Sequence, residues 1–364
     1  MKRLGWILLT ILLAYLVLLI PDSEVEFQKA KMEAPFEWGQ DYLWNSLEAD
    51  FKKAKETGCS ALDTLIKQNL AEFEALVAAL DTIDVNPEEP ILDIIENQVF
   101  AFAPAVAACP DHLESYVGIF DKLRTIIKDQ AVDWDMNSTQ AKRRIYRSLY
   151  GGRAAVEEIL LQSDLDKAPD LFLSVDEPSR CPAAEILGVR VHSGDILVSR
   201  GGAPTSALIA RGNDYPGNFS HIALLHVDEE TSAISIIEAH IEIGVAIADL
   251  DTYLADKKLR VMVLRPRAND PRITADPLLP HKASSNALAR AQSEHIPYDF
   301  SMDYADHSAL FCSEVASSAY GSQELELWMG ISTITSNGLR RWLSDFGVRH
   351  FVTQEPSDLE YDPQ

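Results

Sequence analysis

A histidine, a glutamate and a cysteine in this sequence could together form a catalytic triad. Residues 220–227 and 232–239 are rich in Ile, Leu and Val, which is typical of buried strands, and residues 228–231 between them are polar. This pattern predicts a β-hairpin with a four-residue turn. Centring the hairpin on that turn puts His221 directly opposite Glu238.

The register of this hairpin decides whether the two side chains can interact. A register that pairs Val227 with Ser232 leaves His221 and Glu238 on the same face, with Cβ atoms roughly 4.5–5.5 Å apart. A carboxylate at that distance can orient an imidazole, which is half of a triad. A slip of one residue would separate the two side chains. A slip of two would make His240 available as a second imidazole.

Cys312 is the candidate nucleophile. It lies early in a helix that the sequence predicts over 308–320, with Ser308 as its N-cap. The positive end of a helix dipole and a nearby imidazolium both favour a thiolate. The alternatives are a small buried cysteine and a structural histidine. Glu238 supports the catalytic interpretation over these alternatives, because a carboxylate that ends an apolar run needs a partner when it is buried.

A zinc site is a weaker interpretation of the same residues. Cys, His and Glu can all bind zinc, but no fourth ligand is clustered with Cys312, His221 and Glu238. We therefore predict no metal and no other cofactor.

The composition describes a globular protein with a proper core. Of the 364 residues, 47% are hydrophobic and 24% are charged, which suits two domains and a targeting segment. The 56 acidic side chains exceed the 32 basic ones and give a net charge of −24. This balance argues against a nucleic-acid partner and against the soluble part lying flat on an anionic membrane. It indicates a solvated acidic surface.

The N-terminus has the features of a membrane segment. Lys2 and Arg3 precede an apolar run over 4–20, and no small-residue cleavage pattern follows the run. We predict an uncleaved signal anchor over 1–21, with a cleaved signal peptide as the alternative. The positive-inside rule then gives a single-pass membrane protein whose remaining residues lie on the extracytoplasmic, periplasmic side.

The other three cysteines have no metal-binding spacing. They are Cys59, Cys109 and Cys181, all in the N-terminal half. An oxidising compartment would permit a disulfide between Cys59 and Cys109, and buried free thiols are the alternative.

The helical pattern ends before residue 166. Apolar residues recur at helical spacing in 43–55, 61–80, 91–108, 113–131 and 141–161. This predicts an all-α domain over 22–165, followed by a linker over 166–184.

Strand patterns begin in the second half, and we predict an α+β domain over 185–350 with an acidic tail over 351–364. The predicted strands besides the hairpin are 186–191, 195–199, 244–248 and 259–264, and the predicted helices are a short one from Asp249, 277–293, 308–320 and 336–346.

Five short motifs, in their order along the chain, carry a resemblance to a known family. They are Gly194-Asp195-Ile196-Leu197, Ser220-His221-Ile222-Ala223, Ile237-Glu238-Ala239 with Gly244-Val245, Pro297-Tyr298-Asp299-Phe300, and Phe311-Cys312-Ser313-Glu314. In this order they resemble the circularly permuted papain-like thiol hydrolases of the YaeF/YiiX type. These are relatives of the NlpC-type cell-wall peptidases and the lecithin:retinol acyltransferases. The resemblance covers about residues 185–350.

The resemblance implies Cys312 as nucleophile, His221 as general base and Glu238 as the orienting residue. It implies an antiparallel sheet packed with helices, in which the cysteine comes last in the chain. Tyr298 and Asp299 would form a wall of the substrate cleft, or else a packed turn. The expected activity is cleavage of a peptide or acyl-amide bond in the cell envelope. Lipid acyl transfer or ester hydrolysis, and an inactive binding module, are the alternatives.

Overall fold

The computed structural model describes residues 42–163, 171–173, 176–328 and 330–364. The predicted anchor over 1–21 lies outside these residues. Residues 53–364 form one compact unit, and a first unit, Met1–Lys52, is described only from Tyr42 onward.

The N-terminal half of the described chain is helical, as predicted. Its helices are Tyr42–Thr57, Cys59–Leu80, Pro90–Ala108, Leu113–Ala131, Thr139–Ile145, a π-helical stretch at Tyr146–Gly151, and Gly152–Gln162. That these helices form a domain of their own stays a prediction, because those from residue 53 onward belong to the same compact unit as the sheet.

The helix Pro90–Ala108 is long and apolar enough to cross a membrane by length and composition. No other helix among the described residues meets that test. Its apolar side chains Leu92, Ile95 and Val99 are buried, and it packs against the helices Cys59–Leu80 and Gly152–Gln162. This packing inside the helical bundle accounts for the apolar composition of the helix.

A disulfide joins Cys59 to Cys109, with Cα atoms 4.7 Å apart. It ties the first residue of the helix Cys59–Leu80 to the end of the helix Pro90–Ala108. Cys181 and Cys312 are free and buried.

The C-terminal half is built around an antiparallel sheet. The strands are β1 (Ala183–Ile186), β2 (Val189–His192), β3 (Ile196–Gly201), β4 (His221–Val227), β5 (Ile234–His240), β6 (Gly244–Ala248), β7 (Lys258–Leu264), β8 (Ser332–Thr333) and β9 (Val352–Thr353). Five of them form the main sheet in the order β6-β5-β4-β3-β7, and β1–β2 and β8–β9 are separate pairs. With the flanking helices this confirms the α+β class.

The single strand predicted over 186–191 is wrong, because the chain turns within it. Leu187 and Gly188 both have positive φ, 50° and 84°, and form the turn of the β1–β2 hairpin. β1 begins at Ala183, inside the segment predicted as a linker.

Helices cover the sheet. They are Pro204–Arg211, Leu250–Ala255, Pro271–Ala275, Leu279–Ser293, Cys312–Gly321, Asn337–Asp345 and Asp358–Tyr361. The helices Leu279–Ser293 and Cys312–Gly321 share an apolar core with β3, β4 and β5, in which Ile222 and Leu224 are fully buried. A second core, on the other face of the sheet, contains Leu225 and Tyr253. The strand β4 and the helix that starts at Cys312 are therefore held together by one buried apolar core.

The predicted acidic tail is not a solvated tail. Residues 355 and 357–363 are buried. Glu360 is fully buried and accepts hydrogen bonds from Arg153 Nε at 2.6 Å and Arg153 Nη2 at 2.8 Å, with Arg124 Nη1 at 3.2 Å. A buried carboxylate is stable there because two guanidinium groups compensate its charge. The C-terminal segment thus joins the helices to the sheet domain.

Candidate active site

The hairpin that carries the candidate histidine and glutamate has a different register from the predicted one. Val227 pairs with Ile234, and Glu238 pairs with Ala223. The connection has six residues instead of four, because Asp228 folds it by accepting hydrogen bonds from the backbone N–H groups of residues 230 and 231. The shift of two residues preserves the face of every side chain.

His221 and Glu238 are therefore diagonal neighbours on one face of the sheet. His221 Nε2 lies 2.8 Å from Glu238 Oε2. Glu238 is buried and His221 is half-buried at the start of β4. The contact satisfies the buried carboxylate and fixes the plane of the imidazole.

His240 reaches the other oxygen of the same carboxylate. Its Nε2 lies 3.2 Å from Glu238 Oε1, and its ring centroid is 5.9 Å from that of His221. His240 lies two residues after Glu238 on the same face of β5, and the two-residue register shift brings it opposite His221. Glu238 is thus held between two imidazoles.

Cys312 is the first residue of the helix Cys312–Gly321 and lies close enough to His221 to raise the pKa of the imidazole. His221 Nε2 is occupied by Glu238, which leaves Nδ1 for the thiol. The prediction of a start near Ser308 is wrong, because the N-cap is Phe311. The later start puts the cysteine N–H among the helix donors that have no intrahelical acceptor.

Glu314 fixes the beginning of this helix. Its Oε2 accepts a hydrogen bond from the Phe311 backbone N–H at 3.0 Å, while its Oε1 is buried without a partner among the described residues. Burial raises the pKa of Glu314 to about 8, and the nearby Asp299 and Cys312 add to the rise. A glutamate three residues after the N-cap is the signal by which this role could have been found in the sequence.

The charges of the site support one another. Burial lowers the pKa of His221, but its hydrogen bonds with Cys312 and Glu238 outweigh burial and raise that pKa to about 9. Burial raises the pKa of Glu238, but hydrogen bonds with His221 and His240 lower it to about 2. The stable arrangement near neutral pH is an imidazolium at His221 beside the Glu238 carboxylate.

Tyr298 and Asp299 have different surroundings. Asp299 is buried, and its carboxylate accepts hydrogen bonds from the backbone N–H groups of Ser301 and Asp303, both at 2.7 Å, as expected of a packed turn. Tyr298 is half-buried close enough to Cys312 for the two to interact electrostatically. Tyr298 is the member of this pair that could contact a substrate.

Two further groups of polar residues have structural explanations. Ser193 Oγ lies 2.9 Å from His281 Nδ1, but it is fully buried and accepts a hydrogen bond from the Val227 N–H. Asp63, His112 and Cys109 lie together in a metal-like group, but the Cys109 sulfur belongs to the disulfide and cannot act as a thiolate ligand.

Residues 190–342 match the model of a family described as permuted papain-like amidase enzyme, YaeF/YiiX, C92 family. The match covers less than half of the chain and includes Cys312, His221 and Glu238. It confirms the family resemblance found in the sequence. Searches of curated proteins and of solved structures found no match.

Proposed function

We propose that this chain, whose residues 190–342 belong to the permuted papain-like amidase family, is a cysteine hydrolase that cleaves amide bonds. Cys312 is the nucleophile, His221 the general base and acid, and Glu238 the residue that orients His221. The single observation that carries the proposal is the 2.8 Å contact between His221 Nε2 and Glu238 Oε2, with Cys312 close enough to His221 to affect its pKa.

The first half of the reaction forms an acyl-enzyme. The Cys312 thiolate attacks the carbonyl carbon, so that a C–S bond forms and the carbonyl oxygen becomes an oxyanion. The Cys312 N–H, at the start of its helix, is in position to donate to that oxygen. As the C–N bond breaks, His221 gives its proton to the leaving amine, and a thioester remains on Cys312.

The second half releases the acid. Neutral His221 takes a proton from water, and the resulting hydroxide attacks the thioester carbon. The C–S bond breaks, and Cys312 returns as a thiolate beside protonated His221. The acyl group leaves as a carboxylic acid, which releases its proton to solvent and becomes a carboxylate. Glu238 keeps its charge throughout, since its pKa is about 2.

The compartment is part of the proposal. We infer that residues 1–21 anchor the chain in a membrane and that the catalytic residues act on the extracytoplasmic side. The Cys59–Cys109 disulfide supports this location, because disulfides persist in oxidising compartments. Envelope peptides and acyl-amides are the proposed substrates.

A lipid substrate is the second candidate, and one observation favours it. The ring of Tyr298, near Cys312, packs edge-on against Phe300 with centroids 5.1 Å apart, and Phe300 is partly exposed to solvent. An aromatic surface next to the nucleophile can accept an acyl chain. The same thiolate would then transfer or hydrolyse the acyl group.

Trapping the acyl-enzyme tests the proposal. The full-length protein is incubated with a panel of chromogenic peptide amides and fatty-acyl amides, quenched in acid and digested, and the peptide that contains Cys312 is weighed. We expect the mass of the acyl group on that peptide in the wild type and none in Cys312→Ala. Product release without any adduct, retained in Cys312→Ala, would rule out a thiol mechanism. The class of amide that acylates Cys312 distinguishes the peptide from the lipid substrate.

A further inference from the structure

The helix Asn337–Asp345 exposes aromatic side chains to solvent. Its apolar residues Leu339, Trp342 and Leu343, with Phe346 just beyond its end, recur at helical spacing. Leu339 and Leu343 are half-buried against the domain. Trp342 and Phe346 are 41% and 56% exposed, and their rings pack against each other with centroids 4.8 Å apart. Two large aromatic rings are therefore left without a cover.

Three arginines lie on or just after the same helix. Arg340 and Arg341 lie on the helix and Arg349 follows it, and all three are exposed. Arg349 Nη1 donates only to the backbone carbonyls of Ser344 and Val348, and Arg340 lies over the Phe351 ring. Among the described residues, no carboxylate forms an ion pair with any of the three. In a chain with a net charge of −24, this is a local excess of positive charge.

Acidic groups near these arginines are few. Asp345 is exposed at the end of the helix, and Asp303 lies 3.6 Å from His350. The three arginines outnumber these two carboxylates.

The exposed rings continue toward the catalytic residues. Phe300 is 42% exposed, and a Cβ on Gly347 would lie 3.6 Å from the Phe300 Cβ, so the two backbones are neighbours. The backbone N–H groups of Arg349 and His350 both donate to the Ser301 carbonyl, at 3.0 and 3.1 Å. Phe300 packs on Tyr298, which lies near Cys312, so the segment that follows the helix is adjacent to residues that lie close to the catalytic cysteine.

We propose that the surface made of Phe300, Arg340, Arg341, Trp342, Phe346 and Arg349, here called the aromatic-arginine surface, docks on a lipid bilayer with anionic head groups. This contact is distinct from the proposed anchor over 1–21. It holds the side of the domain that contains Cys312 against the lipid, within reach of substrates that lie in or on the membrane.

The composition of the surface selects lipid as the partner. Tryptophan and phenylalanine gain stability at the depth of the lipid head groups, where their rings leave water. Arginines beside them meet anionic phosphates, and this attraction depends on the anionic lipid content and on salt. The rest of the strongly acidic protein is repelled by such a membrane, so the charge of this one surface would determine the orientation.

Fluorescence of Trp342 in vesicles tests the docking. The full-length wild type and Trp342→Phe are reconstituted in phosphatidylcholine vesicles with or without phosphatidylglycerol, using phospholipids brominated on the acyl chains as quenchers. The difference between the two proteins isolates Trp342, and Trp6 in the apolar N-terminal run cancels in it. We expect bromolipid to quench Trp342 in the anionic vesicles. The double variant Arg340→Gln, Arg341→Gln should lose most of this quenching.

A matched control and three outcomes decide the proposal. Leu161→Ser changes an exposed apolar side chain on a different helix and should leave the quenching of Trp342 unchanged.

Unquenched Trp342 in both vesicle types would overturn the proposal. Equal quenching in both, unaffected by the arginine variant, would overturn the assignment to anionic lipid. Trp342 that is shielded from an aqueous quencher but not reached by bromolipid would point to a protein partner instead. None of these readouts depends on Cys312 chemistry, so they are separate from the test of amide cleavage.

Discussion

His221 Nε2 lies 2.8 Å from Glu238 Oε2 although the two residues are not paired across the hairpin. Glu238 pairs with Ala223, and the glutamate side chain reaches diagonally to the imidazole. The carboxylate is long enough to span that diagonal, and its second oxygen remains free for His240. The diagonal geometry therefore allows one buried carboxylate to hold two imidazoles.

Glu238→Gln should impair catalysis without unfolding the protein. The amide keeps the shape but removes a charge that, together with the larger effect of Cys312, outweighs burial and raises the pKa of His221 to about 9. We expect kcat/KM to fall roughly 10²- to 10⁴-fold. The alkaline limb of the pH–rate profile should also move from near pH 9 to lower pH, because His221 loses its proton more easily. Glu242→Gln, an exposed change in the turn after β5, is the matched control. It should change neither kcat/KM nor the pH–rate profile.

His240→Ala should have a smaller effect than Glu238→Gln. His240 orients Glu238 through one hydrogen bond at a half-exposed position, so we expect roughly a tenfold or smaller loss in kcat/KM. The steady-state rates of His240→Ala and His240→Gln on one amide substrate check this, since glutamine can restore the donor. A loss as large as that of Glu238→Gln would show that His240 takes part in proton transfer.

Glu314 should make stability depend on pH in an unusual direction. Its pKa is raised from 4.5 to about 8 in the folded state, so its contribution to stability is complete below pH 4.5 and is lost as pH rises through 8. Glu314→Gln cannot ionise and avoids this loss. We expect the variant to gain stability over the wild type between pH 4.5 and pH 8, by at most about 5 kcal/mol. Urea unfolding at a series of pH values measures this difference, and a constant difference would contradict a buried, neutral Glu314.

The disulfide should stabilise the helical half. Cross-linking residues 50 apart reduces the entropy of the unfolded chain, and a loop-closure model gives about 4 kcal/mol. The double variant Cys59→Ser, Cys109→Ser should therefore unfold at lower urea concentration. Cys181→Ser, which changes a free buried cysteine, is the control and should have a much smaller effect.

Much of the site could be predicted from the sequence, because the spacing of apolar residues along strands and helices shows which side chains are buried. The faces of β4 and β5 follow from the run of apolar residues, and this places His221 and Glu238 together in either of two registers. The register itself could not be predicted, because it depends on how Asp228 folds the connecting loop. The start of the cysteine helix was placed too early for a related reason, since Glu314 determines it through the Phe311 N–H.

A long-range ion pair explains why the C-terminal segment is buried. Glu360 is acidic and near the end of the sequence, which favours a solvated tail. It is buried because Arg124 and Arg153, more than 200 residues earlier, converge on it. No local pattern in the sequence reveals such a contact.

The reactivity of Cys312 tests the central claim most directly. The full-length protein with Cys181→Ser, its Cys59–Cys109 disulfide intact, is alkylated with iodoacetamide from pH 5 to pH 10, with and without His221→Ala. We predict fast labelling of Cys312 well below pH 8 that slows strongly in His221→Ala, because the imidazolium stabilises the thiolate. Slow labelling that rises only near the ordinary thiol pKa of about 8.5, identical in both proteins, would contradict a Cys312–His221 pair.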